Sequence, residues 1–400
     1  MTAVVERRSV RFVDAPIGER MRPAGLLRAS KNGVQVTVFA LVPALFLAAF
    51  LVIAITPGGH EAIDFRVFYN AAHAYLHGRS PYPLVPGSLT WAHGAQSSYV
   101  YPPLLAALLT PLTFLSYHLA VIVWVLLSAA AIAAALWLLE VRDWRCYGAV
   151  FLWPSTLAGI SVGTLSPFLL LGLAAAWRFR DRTPAVAAAV AFVVTAKLFL
   201  WPVVGWLWLT GRRAAAVAAV AAGVMAAVTA WLWIGFAGIG SYAVMLRRLD
   251  AVESAHGYAA AWQLAGGVGL AVTAIGCAAV AYRVRGAERT AFAAAAIAAL
   301  LLTPILWLHY LSLLAAALPR RFSALWLAPA LLWLTPREGA SGAGWRIALV
   351  TGVIAAVALA IRRSDDSAAS HGAFWVRSEP AALSTPRVVS ARPSLSRIIQ

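Results

Sequence analysis

A chain of 400 residues that is 62% hydrophobic and 12% charged, with a mean hydropathy of +0.79, is far more apolar than a soluble domain, where about 45–50% apolar and about 25% charged residues are usual. Composition therefore excludes an ordinary soluble enzyme and predicts an all-α, polytopic membrane protein. The formal net charge of +17, from 32 bases against 15 acids, is spread over tails and short turns between apolar runs, the pattern of cytoplasmic loops and not of a nucleic-acid surface.

Residues 1–33 are basic and lack an apolar run, and read as a disordered cytoplasmic tail. Val34 to Thr56 then supplies about 23 mostly apolar residues, enough for a span and too long for a signal-peptide core. Between Asp64 and Pro103 lies the longest polar interruption, within an expected outer loop over 57–100. Inside it, Phe65, Phe68, Tyr69, Ala72, Tyr75 and Leu76 recur at helical spacing, with Arg66, Asn70, His73 and His77 on the other face. The spacing predicts an amphipathic helix lying apolar face down on the membrane, with Asp64 at its N-cap and Gly78 as its stop.

After the loop, Pro102 and Pro103 suit the first turn of a helix, and two apolar segments follow, Tyr101 to Leu115 and Leu119 to Leu139. Basic clusters at Arg142 and Arg145, Arg178 to Arg182, Arg212 and Arg213, Arg283 to Arg289, and Arg320 and Arg321 punctuate the rest. If all face the cytoplasm, Lys197 and His309 fall on the side of Asp64, but two full spans before Arg142 would break the alternation. About 11 to 13 apolar segments are expected, some short or broken at proline, as helices lining a cavity are. They form one transmembrane domain over 34–361, and 362–400 reads as a second disordered cytoplasmic tail. Cys146 and Cys277 have no spacing partner and read as buried small side chains.

Sorting the acids leaves Glu61 and Asp64 in the outer loop, the rest falling in tails, basic turns or other short loops. Asp64 could take the proton of an attacking hydroxyl, or it could simply cap a helix. Lys197, a lone cation in the apolar stretch VVTAKLFLWP, could meet a lipid phosphate or snorkel to the interface. His309, in TPILWLHYLSLL, could donate to a phosphate or sugar hydroxyl, or be packed within the bundle. His60, His73, His77 and His93 lack metal-ligand spacing, and no P-loop, GxGxxG or GxSxG pattern occurs, so neither a catalytic metal nor a cofactor is expected. The loop aromatics Phe68, Tyr69, Tyr75, Tyr82, Trp91 and Tyr101 could pack on sugars or anchor the loop at the interface.

The order basic tail, first span, D-F-R-x-F-Y-x-A-A, L-x-G-R-S-P-Y, Y-P-P, T-A-K-L-F-L-W-P and W-L-H-Y resembles glycosyltransferase family 87, membrane enzymes of the GT-C type, from about residue 34 to about residue 335. The resemblance implies an inverting transfer of mannose from polyprenyl-phosphate-mannose to a hydroxyl of a lipid-linked glycan, outside the cytoplasmic membrane. It implies Asp64 as general base, with Lys197, His309, Tyr82 and Tyr101 in matching motifs; Arg66 is a further candidate for the donor phosphate. The turn Gly163, Thr164, Leu165, Ser166 departs from the Gly-Gln-x-Asn pattern of relatives, which bears on sugar and acceptor preference. Arabinose from a polyprenyl-phosphate donor is the nearest variant. A lipid-linked sugar transporter is the alternative from another class, although no second copy of the Asp64 to Pro103 pattern supports it. A scaffold role would make Asp64→Asn silent.

Overall fold

The computed structural model describes residues 32–56, 62–82, 99–244, 246, 260–303, 305–334, 349–350, 352–355 and 357. Residues 1–31 of the first expected tail, all of the second, Glu61, Trp91, His60 and His93 lie outside them, and the first helix begins at Asn32, two residues inside the first tail. Among the described residues the regular elements are all helical. They run α1 (Asn32–Ile53), α2 (Ile63–Leu76), α3 (Pro103–Leu109) with a 3-10 turn Thr110–Phe114, α4 (Tyr117–Leu138), α5 (Trp144–Phe151), α6 (Pro154–Val162), α7 (Ser166–Arg178) and α8 (Thr183–Ala196). A 3-10 turn Leu198–Leu200 leads to α9 (Pro202–Leu209), α10 (Arg213–Trp233), α11 (Ala260–Arg283) and α12 (Glu288–Leu302), then 3-10 segments Leu308–Ala317 and Ala324–Leu334.

Local sequence explains many of the starts. Pro103, Pro154 and Pro202 each open a helix at its first position, where the missing N–H has no intrahelical partner to lose. Asp143 caps α5 by accepting from Arg145 N at 3.1 Å, and holds the Arg145 guanidinium at 2.8 Å. These contacts hold the Asp143 carboxyl below the usual carboxylate range.

Among the described residues four helices are long and apolar enough to cross a membrane: α1, α4, α10 and Gly266–Arg283 of α11. The pair α6 and α7, bent by 117°, makes a fifth candidate, and five further apolar helices are shorter than a span. The protein is thus a membrane protein whose interior is built largely from broken helices. Such breaks are tolerated at membrane depth where protein or a cavity surrounds them.

The basic turns gather at one end. Arg212 pairs with Asp181 at 2.8 Å and with Glu288, and Arg180 reaches Glu288 at 3.0 Å, tying the α7–α8, α9–α10 and α11–α12 turns together. Arg320 pairs with Glu140 at 2.7 Å. The hydrogen bond from Arg212, with the charge of Arg180, holds the Asp181 carboxyl below its usual range.

The alternation problem at Arg142 resolves at this level. Segment 103–114 starts and finishes beside α2, since Tyr101 meets Phe68 with ring centroids 5.0 Å apart and Leu115 O accepts from Tyr69 OH at 2.8 Å. It therefore does not cross, and α4 alone carries the chain from α2 to the basic end.

Two expectations for α2 need correcting. Its N-cap is Ala62, and Asp64 sits inside the first turn without a side-chain capping bond. Its apolar face lies on protein and not on lipid: Phe65, Phe68, Ala71, Ala72 and Tyr75 are buried against the bundle. Tyr82 and Tyr101 are buried as well, so they are not interfacial anchors. The predicted stop at Gly78 is present, with φ +68°.

Candidate active site

Asp64 lies on the inner face of α2, one turn before Phe68, because residues four apart share a helix face. The register is set from below by the α6–α7 turn. Gly163, at φ +77°, comes so close to α2 that a Cβ there would lie 2.7 Å from Phe65 Cβ and 3.0 Å from Ala62 Cβ. Trp124 of α4 locks the turn by donating from Nε1 to Gly163 O at 3.0 Å, while its ring stacks on Phe65 at 5.0 Å. The turn that departs from the family pattern is therefore the seat of the Asp64 helix. Within it Thr164 is buried, and the Ser166 hydroxyl is buried without a partner.

Burial pushes the Asp64 carboxyl up from its ordinary 3.8 to about 6, against the opposing pull of the Lys197 charge. Their charges act on each other, yet among the described residues they form no contact ion pair. A carboxylate with such a pKa remains ionised at neutral pH and is a far better proton acceptor than an exposed one.

Lys197 stands at the break after α8, on extended backbone at φ −148° and ψ 103°. Pro202, which has no N–H to give the carbonyl of Leu198, stops one continuous helix from running past this point. The ammonium donates to Tyr310 OH at 2.7 Å and lies 4.0 Å from the centre of the Tyr101 ring. A cation on a ring face is attracted by the ring quadrupole, and one hydrogen bond still leaves it donors for an anion. Snorkelling to an interface does not describe this side chain.

His309 is buried at the start of the segment Leu308–Ala317, its ring edge-on to Tyr310 at 4.6 Å. Its backbone carbonyl accepts from Ser312 Oγ at 2.7 Å. α6 packs directly against it at Gly159, where a Cβ would lie 3.4 Å from His309 Cβ.

The structure thus brings Asp64, Tyr101, Lys197 and His309 into one neighbourhood, and leaves Arg66 and Tyr82 out of it. Arg66 places its guanidinium 4.9 Å from the centre of the Tyr117 ring, on another side of α2. Tyr82 spends its hydroxyl on Tyr101 O at 2.8 Å and stacks on Trp231 at 5.3 Å, so it holds Tyr101 in place from behind. Sequence reasoning missed Tyr310. The only signal was its position directly after His309, and nothing in that spacing told which of the two would meet Lys197.

Among the described residues no three His, Cys, Asp or Glu side chains converge as a metal site would require. His73 and His77 are close, at 4.5 Å between ring centroids, but His77 Nδ1 donates to His73 O at 2.7 Å.

The model of glycosyltransferase family 87 matches residues 99–309. That match takes in Tyr101, the Gly163 turn, Lys197 and His309, and stops short of α2 with Asp64. No curated protein and no solved structure matches the chain.

Proposed function

This chain belongs to glycosyltransferase family 87, and from that premise we propose that it moves mannose from polyprenyl-phosphate-mannose to a hydroxyl of a lipid-linked glycan acceptor, with inversion. The observation that carries the reading is a half-buried carboxylate, Asp64, near enough to feel the charge of a caged cation, Lys197, at breaks between apolar helices. A lipid-phosphate donor needs that pairing. The acceptor hydroxyl attacks the anomeric carbon as Asp64 takes its proton, and the bond to the phosphate oxygen breaks with its electron pair leaving on the phosphate. Lys197 then stabilises the charge that grows there.

Tyr101 and Tyr310 hold the ammonium in place, and His309 stands ready to donate to the phosphate or to a sugar hydroxyl. Arg66, whose guanidinium lies over the Tyr117 ring, is assigned no role in this step. The site faces the outside of the cell membrane, since the basic turns collect at the other end of the bundle and positive charge stays in the cytoplasm. Between broken helices the polyprenyl tail can leave sideways into lipid while the acceptor glycan enters from water.

Membranes holding the wild type or Asp64→Asn, matched for expression, are incubated with radiolabelled polyprenyl-phosphate-mannose and a lipid-linked acceptor extract. Label should enter acceptor with the wild type and fall to background with the variant. Equal transfer by both removes Asp64 as the base. Transfer only from a polyprenyl-phosphate-arabinose donor replaces mannose with arabinose.

A further inference from the structure

The outer side of α2 carries a second polar site. Asn70, His73, Ala74, Arg79 and Ser80 line an open pocket of about 340 Å³. Local sequence builds it. At the end of α2 the Gly78 N–H donates to Tyr75 O and the Arg79 N–H to Ala74 O, both at 2.9 Å, with Gly78 at φ +68°. This pair of bonds folds the chain back on the last helical turn and delivers Arg79 beside Asn70 and His73.

The rim is held as well. Ser80 Oγ accepts from Tyr82 N at 3.2 Å, and Gly238 packs so tightly that a Cβ there would lie 2.1 Å from that oxygen. Tyr75 O also accepts from Trp233 Nε1 of α10 at 3.0 Å, which fixes the helix end to the bundle.

Among the described residues the lining supplies a guanidinium fork, an amide, an imidazole and a hydroxyl, and it contains neither a carboxylate nor a Phe, Tyr or Trp ring. A sugar ring is commonly recognised by stacking on such a ring, whereas this donor-rich set suits a phosphate oxyanion, which Arg binds through parallel N–H bonds. Asn70 and His73 lie about 9–14 Å along the helix from Asp64 at 1.5 Å per residue, and on another face. A molecule held here reaches the general base only by passing round α2.

We propose that the pocket binds the phosphate of a lipid head group, the one that carries the acceptor glycan. This rests on the reading of a lipid-linked acceptor. It is separate from the donor phosphate, which belongs at Lys197.

Binding of dioctanoyl phosphatidic acid, dioctanoylglycerol and inorganic phosphate to the purified full-length chain in detergent is measured for the wild type, Arg79→Gln and Asn70→Ala/His73→Ala. The phosphatidic acid should bind, the glycerol lipid should not, and each variant should weaken the former about tenfold or more. Gly78→Ala, which disfavours the turn that delivers Arg79, should weaken it too. Lys197→Met should leave the Arg79-dependent binding intact, whether or not the donor reading survives. Lipid binding that ignores these substitutions overturns the proposal, and so does equal binding of the phosphate-free lipid. Inorganic phosphate binding as tightly as the lipid would reassign the pocket to a free anion.

Discussion

Replacing Gly163 by Ala tests whether the α6–α7 turn sets the position of the general base. The new Cβ would stand 2.7 Å from Phe65 Cβ and 3.0 Å from Ala62 Cβ, against an ordinary carbon–carbon contact of about 3.5–4.0 Å. Phe65 must retreat by about 1 Å, and Asp64, its neighbour on the same first turn, retreats with it. The left-handed backbone at φ +77° adds about 1–2 kcal/mol for a residue with a Cβ, and the overpacking about 1–3 kcal/mol. The expected loss of stability is thus about 2–5 kcal/mol. A shift of about 1 Å in a reacting group lowers turnover about 100-fold. Turnover at saturating donor and the thermal midpoint in detergent are measured together, with Gly163→Asn as companion because Asn tolerates the left-handed backbone but still carries the Cβ. Both variants should lose turnover. A folded Ala variant with wild-type turnover refutes the seating of Asp64 by this turn, and recovery in the Asn variant alone would show that backbone strain, not the contact with Phe65, was at fault.

Turnover should fall as pH drops through about 6, where the Asp64 carboxyl takes up its proton. Because that pKa lies above the unfolded value of 3.8, ionised Asp64 opposes folding above about pH 6, and the opposition fades toward pH 4; the thermal midpoint should therefore gain from this residue on acidification, and Asp64→Asn should abolish the gain. If the acid limb survives in a residually active Asp64→Asn, another group titrates there. Tyr310→Phe removes the acceptor that holds the Lys197 ammonium, a bond worth about 1.5–3 kcal/mol, so the KM for donor should rise about tenfold or more while that for acceptor stays put; unchanged donor KM would free Lys197 from Tyr310. Tyr82→Phe should lower stability by about 1 kcal/mol through loss of the bond to Tyr101 O, with turnover nearly preserved, whereas a collapse of turnover in a stable variant would make Tyr82 a substrate contact.

Local signals carried much of the fold. Pro103 placed the start of α3, Gly78 ended α2, and the 3.6-residue period picked out Phe65, Phe68, Ala72 and Tyr75 as one face. Periodicity could not tell what that face would meet, since protein and lipid are equally apolar partners. Hydropathy likewise marked residues 103–114 as apolar without revealing that both ends of the segment return to α2.

The candidate site divides along the same line. By itself the sequence determined that the protein is an all-α membrane protein, that Lys197 is an ionisable group in a costly place, and that Asp64 and His309 are candidates beside it, because composition and burial cost are properties of short stretches. Only the tertiary structure decided which of them meet. Tyr310 holding Lys197 across 113 positions of sequence, Gly163 seating the Asp64 helix, and Arg66 turned to Tyr117 all depend on how helices pack. That packing is a matter of shape and close approach between distant segments, and no local pattern of residues encodes it.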